Sequence, residues 1–243
     1  MKVLLVADLH YTLPQFDWLQ REVSSYDVVV IAGDLLDLAS PVPVAAQVVV
    51  VTKLIAALGQ RTRLLVCSGN HDLTGRGAAG DKSAIWLEQV RGLGIPCDGE
   101  RIVCGSWLLS ICPWWDGDAT KDDVARQLHD DAQSLATAPR TWVWVYHAPP
   151  SGSATCWTGR GPAGDDALAE WIRLYQPFAV LCGHIHNAPF LGTGSWVDRL
   201  ETTWVFNPGR QPGAVPCHIV IDTGSGRISW HSFQGEDSRT LST

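Results

Sequence analysis

The sequence predicts an α/β fold built around a largely parallel sheet. Between Lys2 and Gly92, a short apolar run, a polar loop and a helix-like stretch follow one another three times, which is the pattern of βαβ units. The polar loops carry Asp, His and Asn, side chains that are costly to bury unpartnered and that open α/β sheets gather at strand ends. From Trp196 onward the helical spacing stops, and short strands alternate with turns.

Lys2 to Ala7 is short, apolar and rich in branched residues, hence a buried strand, and Asp8-Leu9-His10 ends it. Pro14 to Ser24 places Phe16, Leu19 and Val23 at helical spacing. Asp27 to Ala32 is a second buried strand, ended by Gly33-Asp34-Leu35-Leu36-Asp37. Pro43 to Leu58 reads as a buried helix stopped at Gly59. Arg63 to Ser68 is the third strand, followed by Gly69-Asn70-His71-Asp72. Asp81 to Gly92 is expected to be a third helix, with Ile85, Trp86, Val90 and Leu93 turned to the core.

The rhythm then changes. Arg101 to Cys104 and Ser106 to Cys112, separated by Gly105, predict a hairpin, and Pro113-Trp114-Trp115-Asp116-Gly117 a loop. Asp118 to Ala136 is an exposed amphipathic helix. Thr141 to Tyr146 is a strand ending at His147-Ala148-Pro149-Pro150. A Gly/Ser/Pro-rich loop leads to a helix from Asp165 to Tyr175, then to a strand from Phe178 to Cys182 that ends in Gly183-His184-Ile185-His186. Trp196 to Leu200, Thr203 to Phe206, Cys217 to Asp222 and Arg227 to Phe233 form a β tail.

With 243 residues, 46% of them apolar, the chain can bury a substantial core, and we expect one domain over residues 1–233 with a frayed polar tail over 234–243. A net charge of −7 argues against stable nucleic-acid binding and against binding an anionic membrane. The apolar start before Asp8 is too short for a signal-peptide core, and no stretch is long enough for a membrane span. Seven cysteines without a Cys-x-x-Cys pair read as reduced, buried thiols, which places the protein in the cytoplasm.

The chemistry lies in five clusters, each at a strand end: Asp8/His10, Asp34/Asp37, Asn70/His71/Asp72, His147 and His184/His186. Singly, each has a plain reading as a helix cap or a hydrogen-bonded surface group. Together, on strands sharing a direction, they meet at one sheet edge. A mixed set of carboxylate, imidazole and carboxamide donors suits Zn, Mn, Fe or Co and suits Ca poorly. There are too many donors for one ion. Asp8-x-His10 and His184-x-His186 each place two side chains on one side of an extended segment. A pair of metals so held performs in-line attack by a metal-activated hydroxide.

The order Asp-x-His, Gly-Asp-x-x-Asp, Gly-Asn-His-Asp, His, Gly-His-x-His, spread from Asp8 to His186, resembles the calcineurin-like metallophosphoesterase superfamily. The resemblance implies a four-layer α-β-β-α sandwich of two mixed sheets, with a dinuclear centre of divalent or mixed-valence ions at the sheet edges. It assigns Asp8, His10 and His186 to one metal, and Asn70, His147 and His184 to the other, with Asp34 bridging. His71 would contact the phosphate and protonate the leaving oxygen, and Asp37 would orient His71. Asp72 would be a supporting group or turn acceptor. Protein phosphatases of the superfamily carry Arg after Gly-Asp-x-x-Asp and Glu after Gly-Asn-His; here Leu38 and Asp72 stand at those places.

The expected function is therefore hydrolysis of a small phosphate ester, nucleotides included, with phosphodiesters favoured over monoesters because that arginine is missing. Two other readings are a non-catalytic interaction module, weakened by the complete ligand set, and a hydrolase of non-phosphate esters. Substrate contacts are expected from Trp114 and Trp115, by stacking, and from Arg160 and Arg210, by pairing with phosphate oxygens.

Overall fold

Apolar runs that do not alternate with polar residues belong to strands covered on both faces. The computed structural model, which describes residues 1–138 and 140–241, shows what covers them. Strands β1 (Lys2–Val6), β2 (Val28–Ala32) and β3 (Arg63–Cys67) are parallel neighbours, with Leu5 opposite Val30 and Val30 opposite Leu65. Their connections carry α1 (Leu13–Glu22) and α2 (Val44–Gly59). After β3 come a two-stranded ribbon, β4 (Gly75–Arg76) with β5 (Lys82–Ser83), and the short α3 (Leu87–Arg91).

The hairpin β6 (Arg101–Cys104) and β7 (Trp107–Ile111) follows, then α4 (Asp118–Thr137), β8 (Thr141–Val145), α5 (Asp166–Tyr175) and β9 (Ala179–Leu181). The tail supplies β10 (Val197–Leu200), β11 (Thr203–Phe206), β12 (His218–Asp222), β13 (Arg227–Ser232) and β14 (Gly235–Thr240). These tail strands divide between two sheets. One sheet has the order β14-β13-β12-β1-β2-β3, the other β10-β11-β9-β8-β7-β6. Both are mixed: β12 is antiparallel to β1, while β7, β8, β9 and β11 are parallel neighbours in the second sheet.

Alternate side chains of each central strand enter different layers. Val3, Leu5, Val28, Val30 and Leu65 pack between the sheets, against Leu109, Val143, Val145 and Leu181. Leu4, Val6, Val29 and Ile31 face outward under α1, α2 and α3, with Phe16, Leu19, Ile55 and Val90. Trp144, Val180 and Val205 cover the far face of the second sheet with Val124, Leu128, Leu168 and Ile172 of α4 and α5. The result is the expected α-β-β-α sandwich. Each fully buried Leu, Ile or Val contributes roughly 1.5–3 kcal/mol, so the two-faced burial of β1 and β2 makes them the anchor for the loops at their ends.

Three expectations need correction. The helix expected over Asp81 to Gly92 is reduced to Leu87–Arg91. Asp81 instead accepts from Thr120 N (2.9 Å) and Thr120 Oγ1 (3.1 Å) at the start of α4, and Lys82–Ser83 is drawn into the ribbon. Trp86 and Val90 are buried, whereas Ile85 and Leu93 are half exposed. The helix α2 is buried on one face only, through Gln47, Val51, Ile55 and Leu58, with Val49 turned outward. The tail expected to fray pairs instead as β14 along β13, from Arg227↔Thr240 to Ser232↔Gly235, because an otherwise unpaired edge offers its backbone groups. Residues 242 and 243 of that tail lie outside the described residues. Among the described residues no helix is long and apolar enough to cross a membrane. All seven cysteines are free and buried, as expected.

Candidate metal centre

Because β1, β2 and β3 run together, the loops after them leave the first sheet at one rim, and the loops after β8 and β9 leave the second sheet beside it. All five polar clusters meet there. The loops after β1 and β2 are locked by backbone bonds, Asp8 N to Gly33 O (3.0 Å), His10 N to Asp34 O (2.9 Å) and Tyr11 N to Leu35 O (2.9 Å). The backbone at Asp8 (φ 56°), His10 (φ 42°), Asp34 (φ 55°) and His184 (φ 68°) is left-handed. The extended geometry expected for Asp8-x-His10 and His184-x-His186 is therefore replaced by tight turns. Asp and His enter this region more readily than most residues, and such strain clusters at functional sites. The glycines before two of these clusters are dictated by close approach. A Cβ on Gly33 (φ +86°) would strike the His147 ring, and one on Gly69 would strike the Asp34 carboxylate.

The side chains converge around two buried carboxylates. Asp8 Oδ1 is 3.1 Å from His186 Nε2 and 3.8 Å from His10 Nε2. Asp34 Oδ2 is 3.2 Å from His147 Nε2 and 3.5 Å from His10 Nε2. Nitrogen and oxygen atoms of Asp8, His10, Asp34 and His186 lie within 4.8 Å of one another, and so do those of Asp34, His147 and His184. Asp34 belongs to both groups. Several of these side chains are oriented from behind. His147 Nδ1 bonds Ala32 O (2.7 Å), which turns Nε2 to the rim, and Asp8 accepts the His184 backbone N–H at 2.9 Å.

The electrostatics are those of a cation site. Asp8 and Asp34 are almost fully buried side by side, an arrangement that requires compensating positive charge. Burial alone would raise the Asp8 carboxyl; the imidazoles of His10, His186 and His147 around it hold it well below the usual carboxylate range. Burial pushes His147 down, but the Asp34 and Asp8 carboxylates outweigh it and raise the imidazole to about 9. His184 falls to about 4, through burial and the neighbouring His147. Two buried polar atoms of the cluster, Asn70 Oδ1 and His147 Nε2, have no hydrogen-bond partner. His147 Nε2 is near Asp34 but outside hydrogen-bonding geometry. Orphaned donors among carboxylates and imidazoles fit a transition-metal centre.

His71 stands beside this group, its ring 4.5 Å from that of His10. Its Nδ1 lies 4.0 Å from Asp37 Oδ1, beyond hydrogen-bond reach, and instead accepts from Leu38 N at 3.3 Å. Asp37 Oδ1 is occupied by Ala39 N (2.9 Å). Asp37 thus makes no direct hydrogen bond to His71; the bond to the ring comes from the Leu38 backbone. Asp72, fully buried, accepts from Leu35 N (3.0 Å), Leu36 N (3.0 Å) and Gly69 N (2.9 Å), so it ties the loop of Asp34 to that of Asn70. Burial and nearby Asp34 raise its carboxyl to about 7. Gln47 escaped the sequence reading. From α2 it accepts from Asp37 N (2.8 Å) and donates to Asp37 O (2.9 Å). The one signal for it was a polar residue inside an apolar helix. Asn207 has a similar part, donating to Ile185 O at 3.1 Å between the two histidines of the last cluster.

The two tryptophans separate. Trp114 lies against the rim, its ring 5.2 Å from His184 and 5.7 Å from His147, and Ser68 Oγ holds its backbone N–H at 2.9 Å. Trp115 turns away and stacks on Tyr146 at 4.0 Å with its edge toward Trp171, which takes up the face expected for substrate. Arg160 is exposed on its loop. Arg210 is half-buried, and its backbone N–H donates to His186 O at 3.1 Å.

No curated protein matches the chain in sequence. Among solved structures, TT1561 of Thermus thermophilus superposes with a TM-score of 0.59 at 13% identity, covering 99% of each chain. A putative 5′-nucleotidase from Staphylococcus aureus, solved in complex with α-ketoglutarate, superposes with a TM-score of 0.56 at 11% identity, covering 98% of this chain and 52% of its own. These likenesses are of fold. The model of the calcineurin-like phosphoesterase superfamily domain matches residues 1–223, which contain every cluster at the rim. The chain belongs to the calcineurin-like phosphoesterase superfamily.

Proposed function

We propose that this domain holds two transition-metal ions and hydrolyses phosphodiesters. Asp8, His10 and His186 would hold one ion, and Asn70, His147 and His184 the other, with Asp34 between them. The observation that carries the reading is Asp34, shared by two donor groups. The orphaned Asn70 Oδ1 supports it. Mn, Fe, Zn or Co match these donors, as a divalent or mixed-valence pair. Bound ions of this kind lower the pKa of water and offset the charge of a phosphoryl group.

The chain's own residues supply position and a proton. Asp8 is fixed by the His184 N–H and His147 by Ala32 O, so neither side chain must reorganise as substrate arrives. Leu38 N–H donates to His71 Nδ1, so in the neutral ring the proton resides on Nε2. That Nε2–H is the donor to a phosphate oxygen and then to the leaving oxygen. Asp37, 4.0 Å from the ring, favours any positive charge it acquires. Leu38 is half exposed where an arginine would assist a dianionic monoester, and with Trp114 it offers apolar surface to an ester substituent. This supports a diester. The buried, reduced cysteines support a cytoplasmic setting.

Metal analysis of the purified chain and its Asp34→Ala variant tests the centre. About two ions per chain are expected, lost together in the variant; a wild-type chain holding no more metal than the variant overturns the dinuclear reading. Bis-aryl phosphates, aryl monophosphates and cyclic nucleotides then rank the substrate classes, with Asp8→Ala as the inactive control.

A further inference from the structure

At the end of the second sheet opposite the histidine rim, a cavity of about 550 Å³ opens where β8, β9 and β11 begin. These strands run from the cavity toward His147, His184 and Asn207, and a five-residue strand spans roughly 17 Å. Trp142, Tyr175 and Trp204 give the cavity aromatic walls, and Arg140 and Arg199 give it two guanidinium groups. Among the described residues, no Asp or Glu lines it. The Arg199 guanidinium lies 5.0 Å from the centre of the Trp204 ring and donates to Thr202 O at 3.1 Å. Arg140 donates to Gly105 O at 3.2 Å. Both partners are neutral carbonyls. The arginines that meet carboxylates are others, Arg91, Arg101, Arg126, Arg227 and Arg239. The Trp204 indole N–H is buried without an acceptor.

In a chain of net charge −7, two arginines without acidic partners among the described residues, beside these aromatic rings, make a local positive field against apolar walls. Guanidinium forks match phosphate oxygens bidentately, and aromatic walls take a planar ring. A volume of this size suits a small-molecule ligand. We propose that this cavity binds a small phosphorylated aromatic compound, of the nucleoside-monophosphate class, at a site separate from the metal centre. The phosphate is held by Arg140 and Arg199, and the base or ring lies against the indole and phenol walls.

Equilibrium dialysis of adenosine 5′-monophosphate against the metal-loaded chain tests this. Arg140→Gln and Arg199→Gln should each weaken binding about tenfold or more, while Asp34→Ala retains it. Inorganic phosphate should compete, and adenosine should bind more weakly than the monophosphate. Melting temperatures establish that the variants fold; if Arg199→Gln does not, Arg199→Lys, which keeps the charge but loses the fork, takes its place with the same expected loss. Arginine variants that bind as tightly as wild type overturn the proposal. So does binding abolished by Asp34→Ala, which would place the nucleotide at the rim.

Discussion

At the residue scale, the two proposed roles of the site, holding metal and supplying a proton, divide at His71. Its backbone N–H donates to Asp34 Oδ1 at 2.8 Å, whereas its side chain points its Nδ1 at Leu38 N. Burial lowers its pKa, so the neutral ring dominates at pH 7 and the Leu38 bond determines which nitrogen carries the proton. Truncating the side chain leaves the backbone bond, and hence Asp34, in place. His71→Ala should therefore keep the metal content of wild type. It should lose turnover by roughly 10²-fold or more on esters with poor leaving groups, and much less on good ones. Equal slowing of a series of aryl esters, whatever their leaving-group acidity, would remove the general-acid role and leave His71 as a phosphate contact alone.

At the element scale, the loop between β7 and α4 assigns different work to adjacent residues. Trp115 is part of the packing of Tyr146 and Trp171 on the outer face of the second sheet, and Trp114 is part of the rim. Trp115→Ala should lower stability by about 3 kcal/mol in chemical denaturation, with little change in KM. Trp114→Ala should raise KM for esters with aromatic substituents and leave small dialkyl esters unchanged. The reverse pattern would exchange the two roles. Sequence alone could not divide the pair, because both residues are aromatic and which one stacks depends on β8 and α5, distant in the chain. The strands and the five clusters were legible because two-faced burial and strand-end polarity are local patterns. The third helix was not, because Asp81 is claimed by Thr120 of α4. Nor was the role of Gln47, which is visible only once α2 lies beside the Asp37 loop. His218 on β12 is another such case. It sits between Trp18 of α1 (4.7 Å) and His231 of β13 (4.7 Å). Burial lowers its pKa to about 4. A depressed imidazole means the folded state resists a proton that the unfolded chain accepts near 6.5. Its contribution is present above pH 6.5 and lost as the pH falls toward 4, up to about 3 kcal/mol. Unfolding free energies of wild type and His218→Phe, measured between pH 7.5 and 4.5, should shift in the variant's favour as the solution is acidified. A gap that stays constant with pH would show that His218 does not titrate in this way.

At the scale of the whole molecule, the rim is where the two sheets are least able to hold each other by apolar contact. The layer between the sheets is filled by Leu5, Val30, Leu65, Val143, Val145 and Leu181. Beyond the strand ends it gives way to Asp8 and Asp34 from the first sheet, facing His147, His184 and His186 from the second. Each proposed ion draws ligands from both: Asp8 and His10 with His186, and Asn70 with His147 and His184. Metal binding so arranged would cross-link the sandwich, and the buried carboxylate pair, unfavourable alone, would become favourable when neutralised. Binding confined to the folded state stabilises it by about 2.7 kcal/mol at a hundredfold excess over Kd. Chelation of the purified protein should then lower its melting temperature by several degrees, and restoring Mn or Zn should recover it. Asp34→Ala should melt at the same temperature with and without chelator, since the shared ligand is gone. Hydrogen exchange resolves the location: on chelation, protection should fall in the loops after β1, β2, β8 and β9 and remain in the central strands. A chelator effect that persists undiminished in Asp34→Ala, or one centred away from these loops, would mean that the ions stabilise the chain from some other place.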